Sequence, residues 1–267
     1  MRFLALALAA GIGFSLPASA ADLAGGAPYG TLNRSVLEPT LGLRGSIGLR
    51  YWYSRAQSNT TGGGVTLLDT DNVSGHSAEV TFKMQDESSG GFLRTYLGLG
   101  GNFGGDQSAL GVNASSFDSS GFGYITLDGG WNFLEFAGGA VKTEAFIGYQ
   151  YLDDQFDATY GGVSVSQEQE WHLVRLGLGA TGDITDRVSW AAEAAAIPWA
   201  YNMTAGSDST YAYGAQADLF VDYAVTPSFD VGVGGRYWYL HSDLSSTPGA
   251  EVEYQRYGLL LEAKYNF

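Results

Sequence analysis

The 267 residues are 45% hydrophobic and 14% aromatic, include 39 glycines, and carry only 15% charged side chains with a formal net charge of −15. The absence of cysteine excludes a disulfide framework and a thiolate metal site. The acidic balance excludes a surface built to bind nucleic acid. After the amino-terminal region, no segment reaches the roughly 18 uncharged apolar residues that a transmembrane helix needs.

The chain begins with a predicted export signal. A basic residue precedes the apolar run Phe3 to Leu16, and a sequence of small residues follows up to Ala20. This pattern is typical of a cleavable secretory signal over residues 1–20. Residues 21–40 contain Gly, Pro and Asn without a period, and we expect a periplasmic lead there. The remainder, 41–267, is predicted to be one barrel.

From Leu41 to the end, hydrophobicity alternates with a period of two. In the first such segment, Ile47 and Leu49 alternate with Ser46 and Arg50. Alternation over about ten residues is typical of a strand with one apolar and one polar face, long enough to cross a bilayer when tilted. There are ten such segments: 41–54, 77–85, 91–101, 121–133, 140–152, 167–181, 187–200, 211–224, 228–240 and 252–267.

The connections between the segments alternate in length. Those after the even-numbered segments are short. Those after the odd-numbered segments are predicted to be long polar loops, at 55–76, 102–120, 153–166, 201–210 and 241–251. Short turns on one side and long loops on the other are typical of outer-membrane barrels. The sequence therefore predicts an all-β fold, a transmembrane antiparallel up-and-down β-barrel of about ten strands. A soluble sandwich or lipocalin-like barrel, which also alternates, is the alternative.

The charges favour the membrane barrel. Nine basic and eight acidic side chains share the predicted polar faces, a net charge of +1. An enclosed lumen needs such a balance because an unpaired buried charge is very costly, and so few strands leave little room inside. We therefore expect a mostly closed lumen with a network of ion pairs. Its predicted members are Arg44, Arg50, Glu79, Lys83, Arg94, Asp128, Lys142, Glu144, Arg175, Glu193, Asp218, Asp222, Asp230, Arg236, Arg256, Glu262 and Lys264.

The opposite faces carry no charge through the strand centres and bear aromatic residues near both ends. At the loop end are Tyr51, Tyr53, Tyr149, Tyr151, Tyr211, Tyr213, Tyr237 and Tyr239, and at the turn end are Trp131, Phe133, Trp190, Tyr223, Phe229 and Tyr265. Two aromatic belts around an apolar band are typical of a lipid-facing surface, and a sandwich core would not produce them.

The last segment ends in Ala263-Lys264-Tyr265-Asn266-Phe267. An alternating final strand with a carboxy-terminal Phe resembles the insertion signal of bacterial outer-membrane barrels. With the ten-strand layout, the chain resembles the small outer-membrane barrel proteins, a class that includes the opacity-like surface proteins. The resemblance implies a Gram-negative outer-membrane location, contact with lipid and lipopolysaccharide, and insertion by the barrel-assembly machinery through the strand that ends in Phe267. Neither a cofactor nor an oligomeric state follows from it.

The predicted loops and adjoining strand ends are strongly acidic, with thirteen acidic residues against Arg55 alone. Divalent cations that bridge these loops to lipopolysaccharide would explain the acidity. A dedicated Ca²⁺ site is the sharper interpretation, because Ca²⁺ prefers clustered carboxylate oxygens. Its candidate ligands are Asp153, Asp154 and Asp157.

Three functions follow from this layout. The preferred one is a surface or structural protein, without catalytic residues, whose acidic loops face the environment. The second is a narrow porin for small solutes or cations. The third is an omptin-like protease, in which Asp/Asp and Asp/His pairs at the rim activate a water. Asp69 and Asp71 in the first long loop and His241 and Asp243 in the last are the candidates, and barrel closure is expected to bring those loops together.

Overall fold

A computed structural model describes residues 42–136, 140–204, 207–245 and 249–267 of the chain, with side chains for all of these except 204 and 207–210. The predicted signal peptide and periplasmic lead lie outside the described residues. Within those ranges the chain forms strands and turns, and no helix is long and apolar enough to cross a membrane.

Thirteen strands follow one another in the described residues. They are β1 Leu43–Gly62, β2 Val65–Asp86, β3 Gly91–Phe103, β4 Asp106–Ala109, β5 Val112–Asn113, β6 Ser116–Asp118, β7 Ser120–Phe136, β8 Val141–Tyr160, β9 Val163–Asp183, β10 Val188–Thr204, β11 Ser207–Thr226, β12 Phe229–Leu244 and β13 Ala250–Asn266. Three of them, β4 to β6, are short pieces between β3 and β7. The other ten are long enough to cross a bilayer.

The ten long strands form a closed ring. Each pairs antiparallel with its neighbours, and β1 closes the ring by pairing with both β2 and β13. Pairing with β13 runs from Ser46 opposite Asn266 to Gly62 opposite Ala250. Phe267 completes the seam through two backbone hydrogen bonds with Gly45, of 2.8 and 2.9 Å. The predicted all-β, up-and-down barrel of ten strands is confirmed.

Between the two aromatic belts, the outward face is apolar and the inward face is polar. Leu49, Leu99 and Leu178 are exposed on the outside, whereas Glu79 and Asp128 are buried inside. We call this part of the barrel the membrane band. It is bounded at one end by the outward Tyr51 and Tyr149 rings and their neighbours, and at the other by the aromatic residues of the short-turn end.

The expectation of long loops is wrong for much of their length, because the strands continue through them. β1 and β2 run on to a two-residue turn at Gly63 and Gly64, with φ of 59° and 81°. β8 and β9 do the same around Gly161 and Gly162. Two consecutive positive φ angles define the tight hairpin turn that matches the twist of paired strands, and glycine adopts them without strain. We call these continuations, beyond the tyrosine belt, the extension.

The extension has the opposite hydrophobic phase to the membrane band. In β8, Tyr149 and Tyr151 point outward, but the next apolar side chains, Leu152, Phe156 and Ala158, point inward and are completely buried. The outer surface of the membrane band faces lipid, whereas the outer surface of the extension faces water. Apolar side chains of the extension are therefore buried on the inward face, where they are removed from water. The extension thus has a dry core like that of a soluble protein. Its largest members are Trp171, Tyr254, Phe156, Leu152, Leu173, Ile197 and Leu240.

Candidate functional site

The lumen of the membrane band holds two groups of ion pairs. The first centres on Asp128, whose carboxylate lies 3.0 Å from the Arg94 guanidinium and 2.8 Å from that of Arg175. Glu193 lies 2.8 Å from both arginines, and Glu144 lies 2.7 Å from Arg94. These side chains come from five neighbouring strands, so the group ties half of the ring together.

The second group centres on Glu79 of β2. Its carboxylate accepts hydrogen bonds from Arg50 at 3.1 Å, from Arg236 at 2.7 Å and from the Tyr124 hydroxyl at 2.5 Å. Arg236 also lies 2.8 Å from Asp218. Because each buried charge has a counter-charge and further hydrogen bonds, the desolvation cost of this interior is offset within it.

Lysine side chains link these groups to the short-turn end of the lumen. Lys83 lies 2.6 Å from Glu144, and Lys264 lies 3.0 Å from Asp222 and 3.1 Å from Glu262. Glu262 also pairs with Arg50. Positive and negative charges therefore alternate within each of the two groups.

Most residues of the predicted network face the lumen, but two do not join it. Arg44 and Lys142 are half-exposed at the short-turn end, where they lie near Glu87 and Glu135. The buried Asp230 accepts a hydrogen bond of 2.9 Å from the side-chain amide of Asn266. The strands end there and the rim is open to water, so alternation no longer decides which side chains are enclosed.

A further buried ion pair, which the sequence does not predict, lies above the first two groups. Arg256 Nη2 donates to Asp154 at 2.7 Å and to the Asn102 side-chain oxygen at 2.9 Å, and its other two nitrogens donate to Tyr254 and Ser54, each at 2.8 Å. Asp154 also accepts from Tyr254 at 2.8 Å. The sequence pattern predicts Asp154 in the long polar loop 153–166. The change of hydrophobic phase after Tyr151 is the signal that would have placed it inside.

An aromatic layer crosses the lumen between Arg256 and the second ionic group. The Trp52 and Trp238 ring centroids are 4.8 Å apart, and Trp238 lies 5.0 Å from Tyr124. The Arg256 guanidinium stacks on Phe122 at 3.8 Å. Trp238 is on β12 and Tyr124 on β7, five strands apart in the ring of ten, so these rings belong to opposite walls.

Opposite walls also meet above this layer. Arg256 of β13 and Asp154 of β8 are five strands apart, and so are Ser58 of β1 and Gln169 of β9, which are joined by a 2.5 Å hydrogen bond. Contacts between opposite walls therefore occur at three heights in the described part of the barrel. The cavity between Gln150 and Gln216 is about 10 Å³, the size of a single water.

Among the described residues, the lumen widens toward the short-turn end. Two adjoining cavities of about 490 and 240 Å³ lie there and share Ser46, Lys83 and Lys264 in their walls. The inner cavity ends at Arg50 and Arg94. The barrel therefore has a blind vestibule at this end, below the ion pairs and the aromatic layer.

The three candidate Ca²⁺ ligands do not converge. Asp154 points into the lumen, whereas Asp153 and Asp157 point outward from the same strand, and Asp157 accepts hydrogen bonds of 3.0 Å from Gln155. Adjacent strand residues face opposite sides, so a run of consecutive acids cannot form one cage there. No group of three or more potential ligands is found among the described residues.

The candidate protease residues are not brought together either. Asp69, Asn59, Glu253 and His241 form one row across β2, β1, β13 and β12, so Asp69 and His241 are separated by three strand spacings, about 14 Å. His241 instead lies 3.4 Å from Asp243 and 3.9 Å from Glu253 on the outer wall. The prediction that closure of the barrel brings the first and last long loops together is wrong for Asp69 and His241.

The other two histidines also belong to the outer wall. His76 bonds to the Tyr51 hydroxyl, and His172 lies 2.6 Å from that of Tyr149. Asp71 likewise faces outward, where it accepts a 2.7 Å hydrogen bond from Gln57. A histidine and carboxylates facing a common water across the rim, as the omptin mechanism needs, are not assembled by these residues.

No known protein family matches the sequence, and no curated protein does. Among solved structures the barrel is similar to the outer membrane protease OmpT from Escherichia coli, at 14% identity and a TM-score of 0.62, over 88% of this chain and 100% of that one. Ail of Yersinia pestis, at 11% identity over 84% of this chain and 99% of its own, gives a TM-score of only 0.27. Neisserial surface protein A, at 14% identity over 82% and 96%, gives the same score.

At this identity the likeness to OmpT is one of fold. Together with the apolar band, the aromatic belts and the polar lumen, it defines the class of the chain: a small bacterial outer-membrane β-barrel. In such barrels the short turns face the periplasm and the long hairpins face outward.

Proposed function

We propose that this barrel is a surface or structural protein, a closed scaffold that holds an acidic extension above the outer membrane. The observation that carries the proposal is direct contact between opposite walls, seen in the aromatic pair Trp238 and Tyr124 and in the ion pair Arg256 and Asp154. A conducting pore needs a continuous aqueous path, and these contacts occupy it. The blind vestibule faces the periplasm and does not reach the outside.

The hairpins of the extension are tied to one another, which supports a rigid display surface. The Leu110 amide donates to the Leu67 carbonyl at 3.0 Å, and the Ser115 amide donates to the Thr159 carbonyl at 2.7 Å.

Leu110 lies at the tip of a hairpin, with a φ of 48° and a side chain that is 69% exposed. An exposed leucine in the left-handed region is uncommon and strained, so we propose that such tips contact a partner.

The outer wall just beyond the tyrosine belt supports the proposed lipopolysaccharide neighbour. Asp153 and Glu170 lie opposite each other on β8 and β9, with Glu168 close by on the same wall. Divalent cations would be needed to bridge these carboxylates to anionic lipid. Export through a signal peptide and insertion by the assembly machinery through the Phe267 strand complete the proposed route to the membrane.

Liposome swelling with sugars of increasing size tests the closed scaffold. The chain is refolded into vesicles, and a known open porin serves as the positive control. We expect no swelling beyond that of protein-free vesicles. Swelling with the smallest sugars would instead support the narrow-porin alternative. Peptide cleavage by the wild-type chain that is lost in His241→Ala would support the protease alternative.

A further inference from the structure

The lipid-facing wall has a groove across β11, β12, β13 and β1. Its floor is Gly235 and Ala217, and Leu219 and Leu259 stand on either side of Gly235 in register. Both leucines are exposed, whereas Gly235 contributes no side chain. The depression measures about 570 Å³. A shallow apolar depression of this kind on a lipid-facing wall can seat part of a hydrocarbon chain.

Three tyrosines and one arginine stand at the outer end of the groove. Tyr53, Tyr237 and Tyr257 line it at the level of the tyrosine belt. Arg55 lies two residues beyond Tyr53 on the same outward face and pairs in register with Tyr257. Tyrosine rings favour the headgroup level of a bilayer, so this places the Arg55 guanidinium at the height of lipid phosphates.

Arg55 is distinctive in its charge environment. Among the lysines and arginines that the structure describes, Arg55 alone lies on the outward face at the long-hairpin end. Its guanidinium donates to the Asn72 carbonyl at 3.1 Å, and no ion pair joins it to a carboxylate within the described ranges. The cations of the lumen, in contrast, are held by buried acids. The nitrogens of Arg55 not used by Asn72 can therefore bind an external anion.

We propose that the groove binds one phosphate-bearing lipid of the outer leaflet. The phosphate accepts charge-assisted hydrogen bonds from Arg55, and one acyl chain lies over Gly235 between Leu219 and Leu259. Charge complementarity selects this occupant, because a cation on an otherwise acidic outer wall attracts an anion, and the apolar groove below it requires a hydrocarbon tail. The proposal rests on the outer-membrane location and adds a defined lipid site to it.

Two substitutions test the two halves of the site, each with a matched control. Arg55→Gln removes the cation, and Arg187→Gln removes an outward arginine at the opposite rim. Gly235→Leu fills the floor. A Cβ at Gly235 meets only the Gly258 carbonyl, at 3.8 Å, so the fold accepts it. Gly129→Leu is the control, because Gly129 also faces lipid and its nearest atom is the Phe92 carbonyl at 4.0 Å.

The measurement is native mass spectrometry of the full refolded chain in detergent, titrated with diphosphorylated lipid A. We expect wild type, Arg187→Gln and Gly129→Leu to retain one lipid A each. Arg55→Gln should bind about tenfold more weakly, the loss expected for a hydrogen bond to a charged group. Gly235→Leu should lose the single bound lipid.

Lipid A stripped of its phosphates separates the site from general lipid contact. It should bind wild type and Arg55→Gln with the same reduced affinity, a comparison that stands even if Gly235→Leu does not refold. Equal retention of lipid A by wild type and Arg55→Gln, or no retention by wild type, would overturn the proposed site. Neither result bears on whether the lumen is closed, which the swelling assay measures separately.

Discussion

Asp128 has a completely buried carboxylate between two arginines, Arg94 and Arg175. Replacing it with asparagine keeps the shape but leaves both guanidiniums with less counter-charge. Removal of one partner from a buried ionic group costs about 3 kcal/mol. Asp128→Asn should therefore lower the free energy of unfolding by about this amount, measured with denaturant in lipid vesicles.

Lys142 provides the matched control for Asp128. Its side chain is half-exposed, and its nitrogen lies 3.9 Å from Glu135. Exposed pairs contribute less than about 1 kcal/mol, so Lys142→Gln should change stability by no more than that. Equal effects of the two substitutions would mean that the lumen is well hydrated rather than dry.

The environment of Asp153 predicts that the stability of the folded chain depends on pH. Burial, with Glu168 and Glu170 beside it, raises the pKa of this carboxyl to about 6. The folded state therefore binds the proton more tightly than the unfolded chain, whose aspartates titrate near pH 4, roughly. Below about pH 4 the carboxyl is protonated in both the folded and the unfolded state, so Asp153 costs no stability there. As the pH rises from about 4 through about 6, the unfolded chain releases this proton first, and the free energy of unfolding falls. Asp153→Asn should be more stable than wild type at pH 7 and equal to it at pH 3.5, by denaturant unfolding. A stability difference that is the same at both pH values would contradict this assignment.

The two hydrophobic environments of a single strand can be compared within β9. Leu173 is completely buried in the core of the extension, whereas Leu178 is 60% exposed on the lipid face. Leu173→Ala leaves a cavity and should cost about 2–5 kcal/mol. Leu178→Ala leaves none, because lipid fills the space, and should cost less. Hydrogen exchange should also show faster opening of the extension in Leu173→Ala. Equal costs would mean that the extension has no packed core.

The strands that cross the membrane band are predictable from sequence, whereas their continuations are not. In β1, Ile47 and Leu49 contrast clearly with Ser46 and Arg50 because lipid and lumen differ in polarity. Beyond Arg55 both faces carry small or polar side chains, and a search for apolar alternation stops there. β8 does contain a signal, since its apolar residues change from odd to even positions after Tyr151.

At the scale of the whole barrel, the strand number and the inward placement of most charges follow from period-two alternation and charge balance. The pairing of opposite walls does not follow, because strand periodicity says nothing about the shape of the ring. The ion pair between Arg256 and Asp154 joins residues 102 positions apart, and the contact between Trp238 and Tyr124 requires that the lumen be narrow. The strand pairing also keeps Asp69 and His241 three strand spacings apart, although the sequence predicts that their loops lie close together.

Single-channel recording in a planar bilayer tests the closed lumen most directly. The refolded wild-type chain should insert without steady conductance at moderate voltage, because the aromatic layer and the buried ion pairs fill the path between the vestibule and the outside. Insertion itself is confirmed by protease protection of the membrane band. Steady, ohmic channels in the wild-type chain would contradict the closed scaffold and favour a porin.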